Sequence, residues 1–352
     1  MKPFRKNLAI AIDGGGIKGV MVTRALSMVE ESLGYPLHTR LGLASGTSTG
    51  SIIAAALACR LDAKTINQLY VDLGNEIFRG SVRTAFWPLF NYRYSNKPLE
   101  KALNKYLGNQ MVADLWKGDH PIDVVITTFD IVENRTRFIK PYKDKYQDWP
   151  IIKAVLASAA APTYFPAIEG RYIDGGVGSY GNPCYLAAYE IMFGLKWDLK
   201  ETTLISLGTG RDPNKIKPGE VNHFLPLQYV TPLIDAFENS AADQQVDLVT
   251  KLFTGLDFRR FQIDFDTVIP MDDPARIPDL IRYGEKLGQM ILNDGVDRAM
   301  NFMPDTIPQR TAANARALTT KSASRRQTSK SGNPRASRSR TSAKSARARR
   351  TR

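Results

Sequence analysis

Three short glycine-bearing stretches hold residue types able to do chemistry. The first is Asp13-Gly14-Gly15-Gly16-Ile17-Lys18-Gly19. Consecutive glycines let a chain turn sharply with its N–H groups uncovered, and a helix opening just after them adds positive potential. Two functions want that arrangement. Gly14, Gly16 and Gly19 satisfy G-x-G-x-x-G, a dinucleotide fingerprint. The same N–H groups also suit an oxyanion hole, where they meet the negative oxygen of a tetrahedral intermediate. A dinucleotide site expects an acidic residue about 20 positions on, at the end of the second strand. Here Glu30 and Glu31 fall inside a predicted helix, and no acid follows Leu41–Ser45. That weakens the dinucleotide reading.

The second stretch, Gly46-Thr47-Ser48-Thr49-Gly50, matches G-x-S-x-G, the nucleophile elbow. That chemistry needs a serine at the tip of a strained turn, with glycines on both sides so that strand and helix can approach. The third is Tyr172-Ile173-Asp174-Gly175-Gly176. An aspartate at a strand end beside glycines is often only a turn residue, so Asp174 gains its weight from the other two stretches. A serine nucleophile also needs a base. Ser48, Asp174 and His223 would follow the Ser, Asp, His order of α/β-hydrolases. However, Val221-Asn222-His223-Phe224 has no strand-end signature, and His38 and His120 precede or interrupt the order. From the residues alone, a triad and a dyad both stand.

The elements that must position these groups alternate between strand-like and helix-like patterns, which implies a largely parallel sheet with covering helices. Strands are expected at Asn7–Asp13, Leu41–Ser45, Ile122–Phe129 and Thr202–Leu207. Helices are expected at Gly19–Leu33, Ser51–Ala58, Pro232–Leu252 and Pro278–Leu292, with Thr231 capping the third and Pro232 at its first position.

The 352-residue chain is long enough to bury a sizeable core. Its two cysteines, Cys59 and Cys184, sit in apolar stretches and read as buried thiols, so no disulfide framework or cysteine metal site is expected. The three histidines show no metal-ligand spacing. The basic N-terminus runs into an apolar stretch too short for a signal peptide, and no run of about 18 apolar residues is present, so the expected location is cytoplasmic. The formal net charge is +13, but residues 311–352 contain 13 Lys or Arg and no Asp or Glu. The remaining 310 residues are balanced, 35 against 35. This tail of Ser, Ala, Thr and Arg has no aromatic residue and one leucine, Leu318. Such a composition is expected to be disordered, and either to contact anionic lipid or nucleic acid or to act as a solubilising tail without a specific partner.

Taken together and in order, the three stretches resemble the patatin-like phospholipase family. Two further pieces share the likeness: Ala157-Ser158-Ala159-Ala160-Ala161-Pro162, followed by Tyr164 and Phe165, and Ser206-Leu207-Gly208-Thr209-Gly210. The resemblance covers roughly residues 7–300. It implies a three-layer α/β/α fold with a mainly parallel central sheet, in one domain over residues 1–310. It implies that Ser48 is the nucleophile, that Asp174 is the sole general base, and that Gly14, Gly15 and Gly16 form the oxyanion hole. Lys18, Gly19, Gly46, Gly50, Gly175 and Gly176 complete the motifs. Lys18 stands where many members have arginine and would favour a phosphate head group without bidentate geometry. The implied reaction is hydrolysis of glycerophospholipid acyl esters at a transiently contacted membrane, with no metal or organic cofactor. Some bacterial members are membrane-degrading effectors switched on by cyclic nucleotides in antiphage defence, so a nucleotide activator is a second expectation. A nucleic-acid-binding protein led by its basic tail is a third. The aromatic stretch Ser81–Tyr94 suggests a lid or membrane contact, or else a loop packed on the core.

Overall fold

The strand-like runs form a seven-stranded mixed sheet. The computed structural model describes residues 1–77, 91–213, 216–225 and 230–297. The strands are β1 (Asn7–Ile12), β2 (Leu41–Gly46), β3 (Asp123–Asp130), β4 (Arg135–Ile139), β5 (Tyr172–Asp174), β6 (Thr202–Leu207) and β7 (Asp257–Phe261). Their order is β4-β3-β2-β1-β6-β7, with β5 added against β3. The pairs β1–β2, β1–β6, β2–β3 and β6–β7 are parallel, while β4 and β5 run antiparallel to β3.

The central strands are buried on both faces, which is why they read as apolar runs rather than as alternations. Leu8, Ile10 and Ile12 point into one core and Ala9 and Ala11 into another, as the two-residue strand period requires. The larger core is covered by α1 (Gly19–Leu33), α2 (Thr49–Ala58), α3 (Ala63–Ile77), α4 (Asn96–Leu107), α5 (Ile151–Ser158) and α8 (Ile277–Leu292). The smaller is covered by α6 (Cys184–Tyr189) and the later turns of α7 (Val230–Leu252). The result is the expected α/β/α arrangement. Gly34 ends α1 in the left-handed conformation (φ 75°), its N–H donating to the Glu30 carbonyl.

Expected boundaries fall within one or two residues of the observed ones, apart from one cap. α7 begins at Val230, so Thr231 is a helical residue and does not precede the helix. Pro232 sits in the first turn, where its missing N–H costs nothing. Cys184 is buried as expected, whereas Cys59 is partly exposed; burial pushes both thiols up to about 12. No helix among the described residues is long and apolar enough to cross a membrane. The basic tail and residues 81–90 of the aromatic stretch lie outside the described residues.

Candidate active site

The register of β3 brings the serine and the aspartate together. Ile126 pairs with Gly46 of β2 on one edge and with Ile139 of β4 on the other. At Gly46 the chain leaves the sheet to form the elbow. Two residues further along β3, Thr128 pairs with Asp174 of β5, again opposite β4. β5 therefore takes the place that β2 vacates, and Asp174 arrives where Ser48 has just turned out of the sheet.

The elbow itself is tight. A Cβ on Gly46 would lie 2.1 Å from the Gly50 carbonyl oxygen, so no side chain fits between strand and helix. Ser48 has φ 54° and ψ −123°, a backbone conformation that L-residues rarely adopt. It occupies the N-cap of α2, yet its hydroxyl makes no capping bond. The hydroxyl lies beside the Asp174 carboxylate, close enough to oppose the rise of its pKa. The N–H of Ser48 donates to Ser158 Oγ at 2.9 Å, and its carbonyl accepts from Ser51 Oγ at 2.6 Å.

Asp174 is 8% exposed. Its Oδ1 accepts from the Gly176 N–H at 2.8 Å, and its own N–H donates to the Ala160 carbonyl at 3.0 Å. Burial pushes its carboxyl up to about 6, against the opposing effect of the neighbouring Ser48 hydroxyl and the Gly176 N–H. Threonines of β3 brace both sides. Thr127 Oγ1 lies 2.7 Å from Thr47 Oγ1, and Thr128 Oγ1 bonds to the carbonyls of Ala157 and Ile173.

The glycine loop lies beside the serine: a Cβ on Gly14 would be 3.3 Å from Ser48 Cβ. Gly14 differs from its neighbours. Its N–H donates to the Gly181 carbonyl at 2.9 Å, so it is not available to an oxyanion. Among the described residues, the N–H groups of Gly15 and Gly16 have no protein partner. Gly16 has φ 58°, and a Cβ there would meet the Met271 carbonyl at 2.5 Å. Thr209 Oγ1 bonds to the Gly14 carbonyl and closes the loop from the other side.

Lys18, expected to favour a phosphate head group, has its charge already taken up within the protein. It is 7% exposed and paired with Asp212 at 2.7 Å, with Phe265 under its ammonium. Its position one residue before α1 turns it inward. Below the loop, Arg260 grips Asp13 through two bonds of 2.8 and 2.5 Å, and a third reaches Ser206 Oγ at 2.8 Å. Both side chains are buried, and desolvation raises the Asp13 carboxyl despite its partner. Sequence reasoning missed Arg260 and gave Ser158 and Thr209 no role; the adjacent Arg259 and Arg260 between Phe258 and Phe261 are the one signal it offered.

His223 lies exposed in the turn Glu220–His223 and is not among the hydrogen-bond partners of Asp174. His120 is exposed, and His38 sits beside Arg60 and Asp62. Among the described residues, no three His, Cys, Asp or Glu side chains converge as metal ligands would. The end of the aromatic stretch packs inward: Arg93 and the buried Tyr94 both bond to Asp272, at 2.6 and 2.9 Å.

The family model described as patatin-like phospholipase matches residues 10–188. The chain belongs to the patatin-like phospholipase family. The match takes in the glycine loop, the elbow and Asp174. Among individual relatives, an intracellular phospholipase A2 of Caenorhabditis elegans is 30% identical over 65% of this chain and 22% of its own length. Patatin-like protein 1 of Oryza sativa subsp. indica is 30% identical over 65% of this chain and 59% of its own. A cUMP-AMP-activated phospholipase of Escherichia coli is 31% identical over 60% of this chain and 66% of its own. The chain thus matches less than two thirds of the length of each relative.

Proposed function

We propose that this patatin-like protein hydrolyses fatty acyl esters of glycerophospholipids through a Ser48–Asp174 dyad. The observation that carries the reading is Ser48, held at a strained elbow beside the buried carboxylate of Asp174. Ser48 Oγ attacks the acyl carbonyl while Asp174 takes its proton. The tetrahedral oxyanion is met by the N–H groups of Gly15 and Gly16 at the start of a helical segment. Asp174 returns the proton to the departing alcohol, leaving an acyl-serine. Water, deprotonated by Asp174, then releases the fatty acid and restores the hydroxyl. A carboxyl raised to about 6 is ionised at neutral pH and more basic than an ordinary aspartate, which suits a base acting without histidine.

Family membership and the likeness to phospholipases support this substrate class. A second reading is favoured by the relative named as cUMP-AMP-activated: hydrolysis here awaits a nucleotide activator. The basic tail, residues 311–352, would hold the enzyme on anionic lipid through its 13 positive charges.

The test is fatty acid release from mixed phospholipid vesicles by wild type, Ser48→Ala, Asp174→Asn and His223→Ala, with and without cyclic dinucleotides. Release by wild type and His223→Ala, absent in the other two, is the expected result. Release that requires a nucleotide selects the second reading. Release surviving Ser48→Ala overturns the proposal.

A further inference from the structure

A cavity of about 640 Å³ opens at the other end of β3. Trp116, Tyr142, Tyr189 and Phe193 line it, together with Lys140 and Glu190. The four rings are between 38% and 54% exposed. Large apolar groups left together in water mark recognition surfaces. Trp116 and Tyr142 lie 5.3 Å apart between centroids, and Tyr189 and Phe193 lie 4.7 Å apart. The second pair is presented where α6 loosens into the π-helical turn Glu190–Gly194. Such turns recur at functional sites.

The charges behind the rings decide what the cavity would hold. Lys140 and Glu190 are buried and bonded to each other, and Tyr142 Oη joins them, accepting from Lys140 at 2.9 Å and donating to Glu190 at 2.6 Å. That group is closed and neutral overall. Asp123 adds a negative charge. Its Oδ1 accepts from the Trp116 ring N–H at 2.5 Å, and among the described residues no Lys or Arg forms an ion pair with it. Burial, helped by the nearby Glu190, pushes its carboxyl above the ordinary value, while the Trp116 N–H and the charge of Lys140 pull the other way. Half-buried Lys143 is also near, with its ammonium over Phe138, a ring outside the cavity. Lys140 already lies over the Tyr142 ring, 5.4 Å from its centroid, which leaves the faces of Trp116, Tyr189 and Phe193. Those faces, with a carboxylate that makes no ion pair among the described residues, favour a positive ligand. A quaternary ammonium, bulky and weakly hydrated, matches ring faces without needing hydrogen bonds.

The cavity is remote from the dyad. Asp123 pairs with Leu43 at the start of the strand contact, and Thr128 pairs with Asp174. Five residues of β3 separate the two levels, about 17 Å at ~3.3 Å per residue. A flat bilayer offering acyl chains to Ser48 cannot also offer its head groups here. We propose that this cavity is a second binding site, for a soluble organic cation of the quaternary-ammonium type. The proposal does not depend on the chemistry assigned to Ser48.

The test is calorimetric titration of the full chain with tetramethylammonium, choline and 3,3-dimethylbutan-1-ol, the uncharged carbon isostere of choline. Phosphatidylcholine vesicles form a separate arm. The two cations are expected to bind at least about tenfold more tightly than the neutral alcohol. Tyr189→Ala and Asp123→Asn should each weaken them about tenfold, with melting temperatures near wild type. Ser48→Ala should bind as wild type. Equal binding of the alcohol would make the cavity an apolar groove only. Cation binding indifferent to both variants would place it elsewhere. No binding of either free cation, or capture by vesicles alone, would also overturn the proposal.

Discussion

The Ser48 N–H donates to the hydroxyl of Ser158 across 2.9 Å, tying the tip of the elbow to the last residue of α5. Ser158 is fully buried. Its hydroxyl fixes the peptide that the strained serine hangs from, and it takes up an N–H that would otherwise compete for an oxyanion. Ser158→Ala should therefore lower kcat by tenfold or more with little change in KM, and cost about 1–2 kcal/mol of stability. Steady-state kinetics beside urea melts would show it. A loss confined to KM would mean that Ser158 touches substrate instead.

Asp174 links activity to pH. Its carboxyl is raised to about 6 by burial, and the proposed base must be ionised. kcat/KM is expected to fall about tenfold per unit below that pH. The same shift acts on stability in the opposite sense. The folded state holds the Asp174 proton more tightly than the unfolded chain does. The resulting cost appears as pH rises above about 4 and is complete above about 6. Asp174→Asn should stabilise the fold by on the order of 2–3 kcal/mol at pH 8, and this advantage should vanish near pH 4. Melting both proteins across that range measures it.

Arg260 holds Asp13 through two bonds beneath the glycine loop, with both groups buried. Removing one partner strands the other's charge. Arg260→Leu should cost about 3–5 kcal/mol, and the double variant Arg260→Leu with Asp13→Leu should recover much of it. Denaturant unfolding of the three variants gives the coupling directly. Additive losses would show that the pair acts independently of each other.

Gly46→Ala is expected to prevent folding or to destabilise by more than ~3 kcal/mol, because its methyl would enter the space of the Gly50 carbonyl. Gly181→Ala, with open space around its Cβ, is the matched control and should fold. Soluble expression and circular dichroism distinguish the two.

The sheet was legible wherever strands were apolar on both faces, as in β1, β2, β3 and β6. Strand β4 (Arg135–Ile139) and strand β7 (Asp257–Phe261) carry arginines and charge, so no pattern singled them out. The motif glycines were legible because close approach permits nothing larger. Which N–H groups they expose was not: Gly14 and Gly15 are identical in sequence, and only the carbonyl of Gly181, far along the chain, separates their roles. Lys18 failed for a related reason. A cation beside a glycine loop looks ready for phosphate until Asp212 appears opposite it.

Both residues of the proposed dyad precede position 175, yet what clasps the glycine loop comes later: Thr209 after β6, and Arg260 within β7. A chain emerging in order would hold Ser48 and Asp174 before β6 has covered the open edge of β1. At that stage β1 is an unpaired apolar edge, prone to join another chain. The loop becomes fixed only once β7 has docked. A fragment ending near residue 190 should therefore be insoluble and inert, and the proposed hydrolysis would be deferred until most of the protein has been made.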